Sequence, residues 1–261
     1  MRRMTMALAA VFMMSACSDG TAPGNQPGLS LSFSTRSPAG APAPGAFASS
    51  LADTLDDGQN VLIIDRAEIV FREIELERLN DDCDDGFSSD SSGSSDDDGC
   101  EEFEAGPMLV DLPLNGAVET AITIEVPPDI YDEIEFEIHK VSNDDPEDAD
   151  FRARHPDMVG KSIRVTGTFN GQAFTYETDL DVEQEHDLVP PLVIDESTTM
   201  TNVTVLLDLS VWFVDGAGNL LDPRTANKGG LNEGIVKENI KQSVEAFEDD
   251  DRDGDDDEDN S

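Results

Sequence analysis

Apolar and polar residues alternate with a period of two along most of this chain, the signature of strands with one buried face. Leu29, Leu31 and Phe33 alternate with serines in LSLSFS. Residues 61–79, VLIIDRAEIVFREIELERL, begin ambiguously, because Ile63, Ala67, Val70 and Ile74 also fall at helical spacing. The strict alternation of REIELER, with Ile74 and Leu76 set between glutamates, and the β-branched content predict a strand instead. MLVDL follows further on, then AVETAITIEV, where Val118, Ile122, Ile124 and Val126 share a face. In IYDEIEFEIHKV, Ile134, Phe136 and Ile138 alternate with Glu133, Glu135 and Glu137, which predicts a solvated carboxylate face.

SIRVTGTF and QAFTYETDL are separated only by Asn170-Gly171, a two-residue hairpin signal because both positions need positive φ. The longest stripe is NVTVLLDLSVWFV, in which Val203, Val205, Leu207, Leu209, Val211 and Phe213 line one face. Leu206, Trp212 and Val214 on its other face predict a central strand buried twice. DGAGN then turns the chain back through Leu220 and Leu221. One helix is expected in NEGIVKENIKQSVEAFEDD, capped by Asn232, with Val236, Ile240, Val244 and Phe247 as its buried stripe.

About nine hairpin-linked strands and almost no helix predict an all-β fold. The expected form is an antiparallel β-sandwich of the Ig-like or transthyretin-like class, with one C-terminal helix and a disordered acidic tail. The boundaries that follow are a signal over residues 1–16, a Gly/Pro-rich tether over 17–28, the sandwich over 29–225, the helix over 226–248 and the tail over 249–261.

The N-terminus changes this picture from fold to address. Arg2 and Arg3 precede an uncharged stretch from Met4 to Met14, too short to cross a ~30 Å hydrocarbon core as a helix. Ser15 and Ala16 lead into Cys17. The arrangement resembles a bacterial lipoprotein signal in which the Cys17 thiol takes the diacylglycerol, although Met14 stands where Leu is usual. An ordinary secretory signal with an incidental cysteine is the alternative. Ser18 after the cysteine favours the outer membrane, by resemblance to the sorting rule of enteric bacteria. Cys83 and Cys100 then remain as a pair, in an exported setting where a disulfide is the default. The loop between them, DDGFSSDSSGSSDDDG, has no Lys or Arg and almost nothing to bury. A thiol zinc site is the rival, but it lacks nearby histidine.

Composition narrows the chemistry. The 261 residues hold 58 Asp+Glu against 16 Lys+Arg, a formal charge of −42, which excludes nucleic-acid binding through phosphate neutralisation. Residues 81–104 and 245–261 supply half of that charge. Carboxylate density of this order suits Ca²⁺. Asp249, Asp251, Asp253 and Gly254 match the first half of a D-x-D-x-D-G calcium loop, and Asp255 follows as a further ligand candidate. Asn260 stands where the loop would need a bidentate Glu, so a full EF-hand is not expected, and a solvated tail is the plainer reading. His155 and His186 have no second histidine at ligand spacing. No G-x-S-x-G, P-loop or G-x-G-x-x-G occurs, so an enzyme is not expected.

The lipobox, MLVDLPLNG, VPPDIYDEIEFEI and NVTVLLDLSVWF together resemble the bacterial lipoprotein family catalogued as domain of unknown function 4382. Leu109 to Leu114 correspond to its V-D-L-L strand and Val126 to Ile134 to its L-P-A-G-x-Y-x-x-I hairpin. This chain has Pro-Asp where the family prefers Gly, and it inserts the acidic cysteine loop. The resemblance spans residues 28–225 and implies an envelope lipoprotein with a β-sandwich; it transfers no catalytic residues. The functional expectation is a non-catalytic lipoprotein with a binding or structural role. Its partners would be the membrane, through the lipid, and a protein or glycan ligand. The alternative is a calcium-dependent adhesive or glycan-binding module.

Overall fold

The computed structural model describes residues 27–36, 53–79, 106–114 and 116–254, and the backbone of 100–104. In chain order the strands are β1 (Gly28–Thr35), β2 (Asp53–Asp56), β3 (Val61–Arg78), β4 (Cys100–Glu104), β5 (Met108–Asp111), β6 (Val118–Glu125) and β7 (Asp129–Ile138). They continue as β8 (Ile163–Phe169), β9 (Gln172–Thr178), β10 (Val182–Ile194), β11 (Met200–Leu207) and β12 (Val244–Glu248). Helices are short: α1 (Ala149–Arg154), α2 (Leu209–Trp212) and α3 (Glu233–Lys241).

Two sheets share one core, as an all-β sandwich requires. The smaller has the order β12-β11-β1-β6; the larger follows β10-β7-β3-β8-β9, with β2, β4 and β5 also paired to β3. Pairings are antiparallel except between β1 and β11, which run parallel with Gly28 opposite Met200. Leu29, Leu31, Phe33, Val203, Val205 and Leu207 from the smaller sheet meet Leu62, Ile64, Ile69, Phe71, Ile74 and Leu76 from β3.

The ambiguous segment is one strand, and its geometry explains the ambiguity. Bulges between Ile64 and Arg66 and between Arg72 and Glu75 each insert one residue. Each insertion switches which parity points inward. Leu62 and Ile64 face the core, then Ala67, Ile69 and Phe71, then Ile74 and Leu76. At the second bulge Glu73 adopts φ 52°. Gly167 of β8 lies against the first, where a Cβ would come 1.9 Å from the Ile63 carbonyl oxygen.

One edge of β3 pairs with β8 along Leu62–Ile69 and then with β7 along Phe71–Arg78. β7 and β8 therefore lie in tandem, and the chain leaves the sheet at Ile138 and re-enters at Ile163. The excursion between them, with α1 and a 3-10 turn at Pro156–Met158, covers the outer side of β3. There Val70, Val141, Phe151 and Met158 form a second small core.

The Asn170-Gly171 hairpin forms as expected, with φ of 53° and 74°. Three boundaries differ. The stripe through Phe213 is not one strand: β11 stops at Leu207, because Asp208 caps α2 by accepting from the Ser210 amide at 3.0 Å. The expected helix over 226–248 is confined to Glu233–Lys241, and Val244 and Phe247 belong to β12 instead. Asn232 precedes that helix without capping it, and its amide donates to Thr225 Oγ1 at 2.8 Å. The tail expected to be disordered from 249 is ordered as far as Gly254, with Asp249 fully buried. Asp255 and the residues after it lie outside the described residues.

Candidate functional site

Alternation places Glu133, Glu135 and Glu137 on the outer face of β7, and the pairing of three strands decides what they meet. Glu135 lies opposite Glu75 of β3 and Glu185 of β10; Glu133 lies opposite Glu77 and Asp187. The second bulge of β3 makes this possible by bringing both Arg72 and Glu75 to the outer face, beside Glu137 and Glu135. The result is a grid of six carboxylates in two rows of three. Like charges directly opposite across strands destabilise a sheet.

The expected solvated face is thus half-buried. Burial, the hydrogen bond with Glu133 and the charges of Glu133, Glu183 and Glu185 push the Glu135 carboxyl up to about 8. Burial raises Glu133 as well. The pair keeps a proton between them at neutral pH.

In the next row a cation appears. Arg72 donates from Nε and Nη2 to Glu137 Oε2 at 2.9 and 2.8 Å, and from Nη1 to Asp145 Oδ2 at 3.0 Å. Beyond it, in phase with the three glutamates, is His139, where the excursion begins. Its amide donates to the Val70 carbonyl at 2.9 Å. Its Nε2 lies 2.8 Å from Asp148 Oδ1, and Asp148 Oδ2 accepts from the Ser142 amide at 2.5 Å. An ionised carboxylate only accepts, so Nε2 carries the proton of this bond.

The other ring nitrogen, Nδ1, is buried and has no hydrogen-bond partner among the described residues. It faces Glu137 Oε2 at 3.6 Å and Asp181 Oδ1 at 3.8 Å. The oxygen of Asp181 is held by the Lys140 amide at 2.7 Å. Burial alone would lower the imidazole's affinity for protons, but Glu137 and Asp148 outweigh it and raise it above the ordinary value. Arg152 ties the excursion to its own base by donating to the carbonyls of Ser142 and Asp145.

On the opposite sheet lies the acidic turn singled out in the sequence. Asp249, Asp251 and Asp253 bring one carboxylate oxygen each within 4.8 Å of one another. Asp249 Oδ2 accepts from Thr204 Oγ1 at 2.8 Å and Oδ1 from the Asp253 amide at 3.0 Å. Desolvation nonetheless raises its pKa. Asn202 joins the turn to β1, accepting from Ser30 and Ser32 Oγ at 2.8 and 2.7 Å and donating to the Asp249 carbonyl at 2.9 Å. Arg252 completes the cover with a bond to Ser30 Oγ at 2.9 Å.

Cys17 and Cys83 lie outside the described residues, while Cys100 opens β4 opposite Glu77. His155 closes α1 against the Phe151 ring. His186 stacks on Phe136 at 5.5 Å, and burial lowers its pKa, as for a core imidazole. The centre that sequence reasoning missed is His139. Its signal was the continuation of the Glu133, Glu135, Glu137 phase to position 139; Asp148 and Asp181 become its neighbours only through the excursion and the β10 pairing. Two adjoining hollows of about 330 and 300 Å³ lie between β5 and β6, sharing Asp111, Pro113 and Glu119 in their walls. No family model, curated protein or solved structure matches this chain.

Proposed function

We propose that the chain is a non-catalytic lipoprotein of the cell envelope, anchored through Cys17 at the outer membrane, with a β-sandwich that serves a binding or structural role. The observation that supports the reading is the position of β1. The strand starts at Gly28, a short way after Cys17, and is fixed between β11 and β6. A lipid on Cys17 would thus be joined by a short polar segment to the middle of a sheet. The resemblance to domain of unknown function 4382 belongs to the same reading: its two motifs fall on β5 and on the turn into β7. Mass spectrometry of the N-terminus of the native protein tests the anchor. The expected result is a diacylglyceryl-modified Cys17 at the mature terminus; an unmodified cysteine, or cleavage elsewhere, overturns it.

A second reading, a calcium-dependent adhesive or glycan-binding module, is favoured by the meeting of Asp249, Asp251 and Asp253. Oxygen ligands of this kind in extracellular modules hold Ca²⁺ with dissociation constants of about 10⁻⁴–10⁻³ M. Calcium titration by calorimetry, with thermal melts in calcium and in chelator, tests it on the full chain. Absence of both heat and shift removes this second reading and leaves the first standing.

A further inference from the structure

We propose that His139, Glu137 and Asp181 form a binding site for a borderline divalent metal ion of the Zn²⁺ class, on the outer face of the larger sheet where the chain leaves β7. The site is separate from the acidic turn on the opposite sheet and does not depend on the anchor at Cys17.

The argument begins with an orphaned atom. His139 is 4% exposed, and Nδ1 has no hydrogen-bond partner among the described residues. Its Nε2–H is committed to Asp148, so whenever the ring is neutral it turns a lone pair toward two carboxylates. Lone pair and carboxylates repel unless something positive lies among them. A proton on Nδ1 is the simplest candidate, and the two carboxylates favour it, but neither distance lets it form a hydrogen bond. At 3.6 Å to Glu137 and 3.8 Å to Asp181, both gaps exceed an ordinary N–H···O bond of about 2.7–3.2 Å. A tetrahedral ion with bonds of about 2.0–2.1 Å holds its ligand atoms about 3.4 Å apart, which is nearer to both distances. All three donor atoms lie within 4.8 Å of one another.

The donor set selects the ion. An imidazole with two carboxylates suits Zn²⁺ or a neighbouring transition metal, whereas Ca²⁺ wants six to eight oxygens. The surroundings are those of a metal-bound imidazole. Asp148 takes the second ring proton and is itself fixed by the Ser142 amide, so the ring's tautomer and tilt are set before any ion arrives. Arg72 orients Glu137 by donating from Nε and Nη2 to the same Oε2 that faces the imidazole. Asp181 is about half exposed, which gives the ion a route in and leaves room for a water as fourth ligand.

The test is calorimetric titration of the full chain, stripped with chelator, with Zn²⁺ and separately with Ca²⁺. It is joined by the visible spectrum after Co²⁺ addition. One Zn²⁺ should bind, with a tetrahedral cobalt spectrum. His139→Gln and Asp181→Asn should each weaken zinc at least tenfold, and Asp148→Asn about 10–100-fold. Glu196→Gln, in the exposed turn after β10, should leave zinc binding unchanged. Asp181 is the safeguard, because its side chain lies at the surface and its loss leaves the core intact if His139→Gln fails to fold. The proposal is overturned if zinc gives no heat, or if zinc affinity is the same in Asp181→Asn. A cobalt spectrum of octahedral type unaffected by His139→Gln would equally sink it, since the ion would then sit among other carboxylates.

Discussion

The ring of Phe33 in β1 stacks on that of Phe71 in β3, with 4.8 Å between centroids and 24° between planes. Phe136 of β7 meets the same Phe71 edge-on at 5.2 Å. The contact joins the middle of the smaller sheet to the spine of the larger one, so it reports directly on sandwich closure. Phe71→Ala should cost about 3–5 kcal/mol in urea denaturation, while Phe33→Leu, which keeps most of the volume, should cost less than about 1.5 kcal/mol.

Glu135 makes stability fall with rising pH. Its folded pKa of about 8 lies above the ordinary 4.5. The folded state therefore holds a proton that the unfolded chain has released, and the associated stability is complete below 4.5 and lost as pH rises through 8. Glu135→Gln should flatten this limb. At pH 9 the variant should be more stable than the parent by about 0.4–2 kcal/mol, from relief of two cross-strand like-charge pairs. Thermal melts from pH 5 to 9 check the sign.

Asp57 acts in the opposite direction. Its carboxylate closes the turn between β2 and β3 and accepts from the Leu220 amide at 2.8 Å, across the fold. Bonds from the amides of Leu220, Asn60 and Gln59 hold its pKa at about 2, below 3.8. Stability from this group is present above 3.8 and disappears as pH falls through 2. Asp57→Asn should therefore weaken the pH dependence of melting on the acid side.

Asp249→Ala should destabilise the protein by about 1–3 kcal/mol, because it removes the acceptor of the Thr204 hydroxyl and of the Gly254 amide and one of the two acceptors of the Asp253 amide. Hydrogen exchange should rise at the amides of Asp253 and Gly254. An unchanged melt would show that the turn does not clamp β11.

Asp208→Ala removes the cap that ends β11 and starts α2, at an expected cost of about 0.5–2 kcal/mol. Trp212 sits in that helix with its indole bonded to Ser243 Oγ at 2.7 Å, so its fluorescence should report the loosening.

Fold class was legible because alternation in β1, β7, β8 and β9 is a local property of the sequence, and the Asn170-Gly171 turn needs only its own two residues. Local patterns failed where a cap or a partner decided. Asp208 and Ser210 stop a strand whose hydrophobic stripe continues to Phe213. Val244 and Phe247 fit a helical spacing, yet β11 takes them as an edge strand. Ser30 and Ser32 read as a solvent face until Asn202 and the acidic turn cover them. For the candidate sites, three aspartates of one turn were visible as a motif. His139, Asp148 and Asp181 are brought together by a strand-edge excursion that no spacing rule encodes.

The parallel pairing of Gly28–Thr35 with Met200–Leu207 has a consequence for synthesis. A ribosome releases the first of these segments long before the second exists. Until then LSLSFS carries a row of unsatisfied amides and carbonyls along one side, free to pair with a neighbouring molecule. Chains halted short of residue 207 should therefore be the ones that aggregate or fall to proteases, whereas those that reach it bury the exposed edge.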